Sequence, residues 1–178
     1  MSVTCAEYIA KLPDELRLRF GLDEAQKAAD EWNFNCGPGA LCAILGLTPD
    51  EVRPRMGDFE RKGYTNPTLM FEILKRQPLK YDRTKLDRWS VFGLARIQWG
   101  GPWMKAGVPV RARYRHTHWV ACRLVDGVQW IYDVNAMCVG GWIVENVWES
   151  EVALWLMRET EPKADGTWSR THCIEIFK

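Results

Sequence analysis

Apolar positions follow a helical period through the first half of the chain and a period of two through much of the second. Thr4 caps a short helix through Lys11 that Pro13 interrupts, with Asp14 to Phe20 adding a turn or two. Asp23 caps a stretch from Glu24 to Glu31. Asn35 to Leu45 reads as a helix with Leu41, Ile44 and Leu45 on one face, closed by Gly46. Thr48-Pro49-Asp50-Glu51 is a capping box that opens a short helix. Asn66-Pro67 opens another, with a stripe of Leu69, Met70, Ile73 and Leu74 ending at Gln77-Pro78. Leu79 to Gly107 has no clear period: Ser90 to Trp99 fits a helix, and Trp99-Gly100-Gly101-Pro102-Trp103 a turn. Val108 to Tyr114, Thr117 to Val125 and Val128 to Asn135 read as strands, the last two joined by a hairpin turn at Asp126-Gly127. Glu145 to Arg158 returns to a helical pattern, Glu161 to Thr167 is a polar loop, and Thr171 to Phe177 alternates as a closing strand.

Helices first and an antiparallel sheet second is an α+β layout. The 178 residues fit one domain, helical over about 1–107 and sheet over about 108–178. A net charge of +1 gives no electrostatic footprint for nucleic acid or an anionic membrane, so neither is expected as a partner. The amino-terminal residues lack a basic region followed by an apolar stretch, and no apolar run is long enough to span a bilayer. A cytoplasmic location is therefore expected. The six cysteines form no Cys-x-x-Cys pair and no zinc-spaced cluster with histidine. Reduced thiols are expected, with no metal and no cofactor. Ten tryptophans point to a bulky aromatic core together with an aromatic-lined groove.

Cys36 stands where the polar turn Trp32-Asn33-Phe34-Asn35 enters the apolar helix. At a helix start, unpaired N–H groups and the macrodipole favour an anion, and the thiolate is the nucleophilic form of cysteine. Two histidines, His116 and His118, lie at the entry of the central hairpin, and Asp133 ends its returning strand. Folding the hairpin at Asp126-Gly127 brings His118 and Asp133 to one end of the sheet. A cysteine, a histidine and a carboxylate in that arrangement are nucleophile, base and orienter. His116 competes with His118, and Asn135 with Asp133. Cys138 and His172 read as structural.

Asn-Cys-Gly-Pro-Gly-Ala-Leu, His-Trp-Val-Ala and Tyr-Asp-Val-Asn together resemble the papain-like cysteine peptidases, in particular the bacteriocin-processing (double-glycine leader) peptidase-like branch. The resemblance covers scattered patches between Trp32 and Asn135. It implies a papain-like fold with the nucleophile helix packed on the sheet. Cys36 would be the nucleophile, His118 the general base and acid, and Asp133 the imidazole orienter. The family's oxyanion glutamine, six residues before the cysteine, is Asp30 here. Asn33 or Asn35 could supply the amide instead, beside the Cys36 backbone N–H. Trp99, Gly100, Gly101, Trp103 and Trp119 are candidate groove walls.

The function implied is a thiol hydrolase acting on a peptide or isopeptide bond of a peptide or protein substrate. The same triad would serve a deamidase or a transglutaminase-type acyl transferase. A papain-like domain that binds without catalysis is the third reading. The sequence does not set the oligomeric state.

Overall fold

A computed structural model describes residues 4–84 and 86–177. The helical portion comprises α1 (Cys5–Ala10), α2 (Leu22–Trp32), α3 (Cys36–Leu45), α4 (Pro49–Val52), α5 (Phe59–Lys62) and α6 (Pro67–Lys75). Thr4, Asn35, Thr48 and Asn66 cap α1, α3, α4 and α6 through their side chains, as their positions before the helices predict. Two starts differ. Asp14–Leu16 is only a 3₁₀ turn. Helix α2 begins at Leu22 rather than after Asp23, because the Glu24 carboxylate reaches back to the Gly21 N–H at 2.9 Å.

Strands β1 (Lys80–Arg83), β2 (Phe92–Trp99), β3 (Thr117–Val125), β4 (Val128–Tyr132), β5 (Trp142–Val144) and β6 (Trp168–Phe177) form one antiparallel sheet in the order β1-β6-β2-β3-β4-β5. The molecule is α+β, but its sheet begins well before Val108. Strand β2 occupies the stretch read as helical, and its neighbours β6 and β3 make it a central strand. Covered on both faces, it shows no alternation: every residue from Gly93 to Trp99 is buried. Conversely, Val108 to Tyr114 is not a strand. Gly107 has φ +86°, Pro109 removes a ladder donor, and a single helical turn, α7 (Val110–Arg113), follows. Asp126 and Gly127 both adopt positive φ, +49° and +77°, the geometry a tight hairpin between β3 and β4 needs.

The sheet is sandwiched between two helical layers. On one side α3 packs against β3, with Ala40, Leu41 and Cys42 sharing a core with Leu94, Trp119, Ala121 and Ile174. Residues Gly37 to Ile44 are all buried, so α3 is enclosed all round and carries no polar face. On the other side α8 (Glu145–Val147), a π-helical turn over Trp148–Val152 and α9 (Ala153–Thr160) cover Ile97, Val120, Cys122 and Ile131. The tryptophans divide between the two layers, and Trp89, Trp148 and Trp168 pack together on the second.

Close packing fixes the start of α3. A Cβ at Gly37 would overlap the Thr65 side chain, and Thr65 cannot retreat, since its carbonyl accepts the Trp119 indole N–H at 2.7 Å. Gly37→Ala is therefore expected to destabilise the protein by about 1–3 kcal/mol, the usual cost of overpacking, read as a lower melting temperature. An unchanged melting temperature would mean that the Thr65 segment yields freely.

Candidate functional site

Cys36 is the first residue of α3, and the Asn35 side-chain oxygen caps the helix by accepting the Gly37 N–H at 3.3 Å. The Cys36 backbone N–H itself has no acceptor among the described residues. His118 is the second residue of β3 and is buried. Asp133 follows the last residue of β4, in extended conformation, and no part of it reaches solvent. The β3–β4 register pairs Ala121 with Tyr132, so the next pair sets Asp133 beside Val120, on the face that also carries His118.

The three side chains form a relay. His118 Nε2 donates to Asp133 Oδ2 at 2.9 Å. Cys36 lies near enough to the same ring for their charges to act on each other, and the ring nitrogen not spent on Asp133 is the one left to face it. Asp133 accepts three further bonds: the Trp148 indole N–H on Oδ2 at 2.9 Å, and the Asn135 backbone and side-chain N–H groups on Oδ1 at 3.0 and 2.9 Å. Asn135 thus holds the carboxylate rather than the imidazole. The Trp99 ring lies parallel to the His118 ring, 5.9 Å between centroids.

Electrostatics follow from this geometry. Burial alone would raise the Cys36 thiol, but the His118 charge and hydrogen bond and the Trp119 backbone N–H outweigh it and hold the thiol below its ordinary value. Burial would lower His118; the charges of Asp133 and Cys36 instead push it up to about 10. Asp133 would be raised by burial and is pulled down by His118, Trp148 and the Asn135 N–H. Both shifts act toward a thiolate beside an imidazolium. Burial raises the thiols of Cys42, Cys122 and Cys173. All six cysteines are free.

A cleft of about 410 Å³ opens over Cys36 and His118, bounded by α2 (Gln26, Ala29), Asn35, Trp99, Thr117, Asn135 and the end of α9. Of the five predicted groove positions, only Trp99 lines it. Trp119 lies in the core beneath α3 and donates to the Thr65 carbonyl. Trp103 is buried beside Gly101 and donates to the Trp99 carbonyl at 2.7 Å. Gly100 packs against Asp165 and Thr167. The two glycines serve the turn itself, and no substrate backbone is needed to explain them.

Several other candidates are placed elsewhere. His116 precedes β3, stacks on Trp103 at 3.6 Å and bonds Glu161 at 2.6 Å. Cys138 is exposed in the 3₁₀ segment Val134–Val139. Asn33 does not line the cleft: it is the exposed left-handed C-cap of α2, φ +60°. Asn35 lines the cleft, but its amide nitrogen donates to the Gly63 carbonyl at 3.3 Å while its oxygen caps α3. Asp30 accepts the Gln26 side-chain amide at 3.0 Å, and Gln26 projects into the cleft one helical turn before Asp30. Sequence reasoning missed Gln26, Trp148 and Thr117. Helical spacing from Asp30 could have found Gln26, whereas no local signal links Trp148 to Asp133.

Among the described residues, no three His, Cys, Asp or Glu side chains converge as a metal site, and no helix is long and apolar enough to cross a membrane. In comparisons with known proteins no family model, no curated protein and no solved structure matches this sequence.

Proposed function

We propose that the protein is a thiol-dependent hydrolase of papain-like type, cleaving a peptide or isopeptide bond through an acyl-enzyme on Cys36. The observation that carries this reading is the Cys36–His118–Asp133 relay, with the carboxylate held by four donors. The Cys36 thiolate attacks the scissile carbonyl carbon, and the carbonyl π pair moves onto oxygen. As the tetrahedral intermediate collapses, the C–N bond breaks and the His118 imidazolium gives its proton to the departing amine. Neutral His118 then takes a proton from water; the hydroxide attacks the thioester, the acid leaves and the thiolate returns. Asp133 fixes the imidazole orientation throughout.

For the oxyanion, the Cys36 backbone N–H is one donor and the Gln26 amide hydrogen not spent on Asp30 is the side-chain donor, in place of the asparagines expected from the sequence, since the Asn35 oxygen is also committed to capping α3. Gln26→Ala is expected to lower turnover by about a hundred- to a thousandfold with little change in melting temperature. Asn33→Ala is expected to do the reverse, costing about 1–2 kcal/mol because alanine resists the left-handed conformation. Parent-level turnover in Gln26→Ala would remove that residue from the site.

Turnover should have two limbs. It rises as pH climbs through the Cys36 pKa, which lies below the ordinary thiol value of 9.0, and falls as His118 loses its proton at about 10. An acid limb at the ordinary thiol value would contradict the ion pair. The direct test is a peptide library incubated with the protein and read by mass. Cleaved amides support the hydrolase. Glutamine side chains converted to glutamate, with the backbone intact, would instead identify a deamidase. No product, together with no adduct from a peptide aldehyde on Cys36, would identify a binding domain.

A further inference from the structure

Arg96, at the middle of β2, is buried to 1% exposure and has no carboxylate partner among the described residues. The buried pair His118 and Asp133, by contrast, satisfy each other. Gln98, two residues on, spends its amide on the carbonyls of Trp99, Arg113 and His116. Arg96 has only hydroxyls: Thr117 Oγ1 at 3.1 Å and, weakly, Thr171 Oγ1 at 3.4 Å, while its Nε finds no partner among the described residues. A guanidinium enclosed in this way ordinarily meets an anion, because two hydroxyl dipoles replace little of its hydration. Burial accordingly presses its pKa down.

Its position says where the anion would come from. Thr117, which holds Nη2, lines the cleft over Cys36 and His118. The guanidinium also lies 5.0 Å from the Tyr114 ring, and Tyr114, more than half exposed, lines a second cavity of about 730 Å³ with Arg83 and His172. A hydroxyl that lines the cleft and an exposed aromatic ring thus both touch a buried fork of donors.

We propose that Arg96 is the carboxylate-recognition residue of the thiol site: it receives, past Thr117, a substrate carboxylate close to the carbonyl that Cys36 attacks. A carboxylate matches the planar fork of a guanidinium and supplies an anion in hydrogen-bond contact, where the Cys36 charge acts on Arg96 only through space. The substrates selected are then acyl compounds with an acidic group next to the scissile bond, either the C-terminal carboxylate of a peptide or an acidic side chain. The inference rests on Cys36 being the nucleophile.

Alkylation tests it on the intact protein without a known substrate. The Cys36 thiolate forms a bond to the methylene carbon of iodoacetate or iodoacetamide, and iodide leaves with the bonding pair. The two reagents differ in one carboxylate. Dividing the iodoacetate rate by the iodoacetamide rate cancels the nucleophilicity of the sulfur, and exposed Cys5 in the same molecule gives the reference ratio. The ratio at Cys36 is expected to exceed that at Cys5 about tenfold or more, to fall about tenfold in Arg96→Met, and to recover partly in Arg96→Lys. A Cys36 ratio unchanged in folded Arg96→Met would overturn the proposal and leave the preference to the His118 imidazolium.

Should that variant not fold, protection of the parent protein decides. Acetyl-glycine or acetyl-aspartic acid α-amide, but not acetyl-glycinamide, should slow iodoacetate at Cys36; whichever acid protects better identifies the carboxylate source. Protection by none, or equal protection by all three, would also overturn it. The two failures are distinguishable. If iodoacetamide labels Cys36 no faster than Cys5 at neutral pH, the nucleophile itself is wrong and both readings fall. If labelling is fast but carries no Arg96-dependent carboxylate preference, only this inference falls.

Discussion

Cys36→Ala is expected to fold like the parent and to lose turnover by about 10⁴- to 10⁶-fold, down to the background of binding and oxyanion stabilisation. The substitution deletes one sulfur at the edge of a cleft. Alanine suits the first turn of a helix, and the Asn35 cap of α3 does not involve the thiol. The thiolate, however, is one of the two charges that hold His118 protonated, with Asp133. Its removal should therefore lower the His118 pKa from about 10, toward the value that burial and Asp133 alone set. The sign for stability follows. A histidine whose folded pKa is raised stabilises fully below pH 6.5 and loses that contribution as pH rises through its folded pKa. In Cys36→Ala the contribution is smaller and is exhausted at lower pH. Turnover, melting temperature against pH and the His118 titration by NMR check the three parts. Retained cleavage in Cys36→Ala would exclude the acyl-enzyme outright.

The pieces of this site that were legible in the sequence are those set by local rules. Asn35 before an apolar helix announces a cap, and Cys36 follows from it. Asp126-Gly127 announces a tight hairpin, and the hairpin alone brings His118 and Asp133 to one end of β3 and β4. What was not legible depends on contacts between distant segments. Strand β2 lies buried between β6 and β3, so its sequence lost the alternation that marks a strand. Trp119 and Trp103 looked like groove walls because tryptophan fits a groove and a core equally well; only the Thr65 and Trp99 carbonyls decided for the core. Trp148 meets Asp133 because a π-helical turn beginning at Trp148 lies over the far face of the sheet, and nothing in the spacing of positions 133 and 148 predicts it.

Asp133→Asn is expected to damage chemistry and stability together, which separates Asp133 from an ordinary strand-end aspartate. The carboxylate accepts four N–H bonds on two oxygens: His118 and Trp148 on Oδ2, Asn135 twice on Oδ1. An amide of the same shape offers one oxygen and one NH₂ group. With the NH₂ toward His118, Nε2 must become the acceptor and the ring proton moves to the nitrogen that faces Cys36. The base then cannot take the thiol proton, and turnover should fall by about 10⁴-fold, as in a triad with the wrong tautomer. With the NH₂ toward Asn135, two N–H groups lose their acceptor and the turn after β4 loses its cap. In both orientations the negative charge that raises His118 is gone, so the imidazolium that lowers the thiol forms less readily; this outweighs the direct relief of the thiol from the Asp133 charge, and iodoacetamide labelling at pH 7 should slow. Asp133→Ala leaves all four donors unpaired and should cost about 3–5 kcal/mol, the scale for breaking a buried pair. For a domain of this size that is a melting temperature lower by about 10 °C. The pH profile of Cys36 alkylation in folded Asp133→Asn is the deciding measurement: a curve superimposable on the parent's would uncouple Asp133 from the thiol and leave Asp133 a purely structural acceptor.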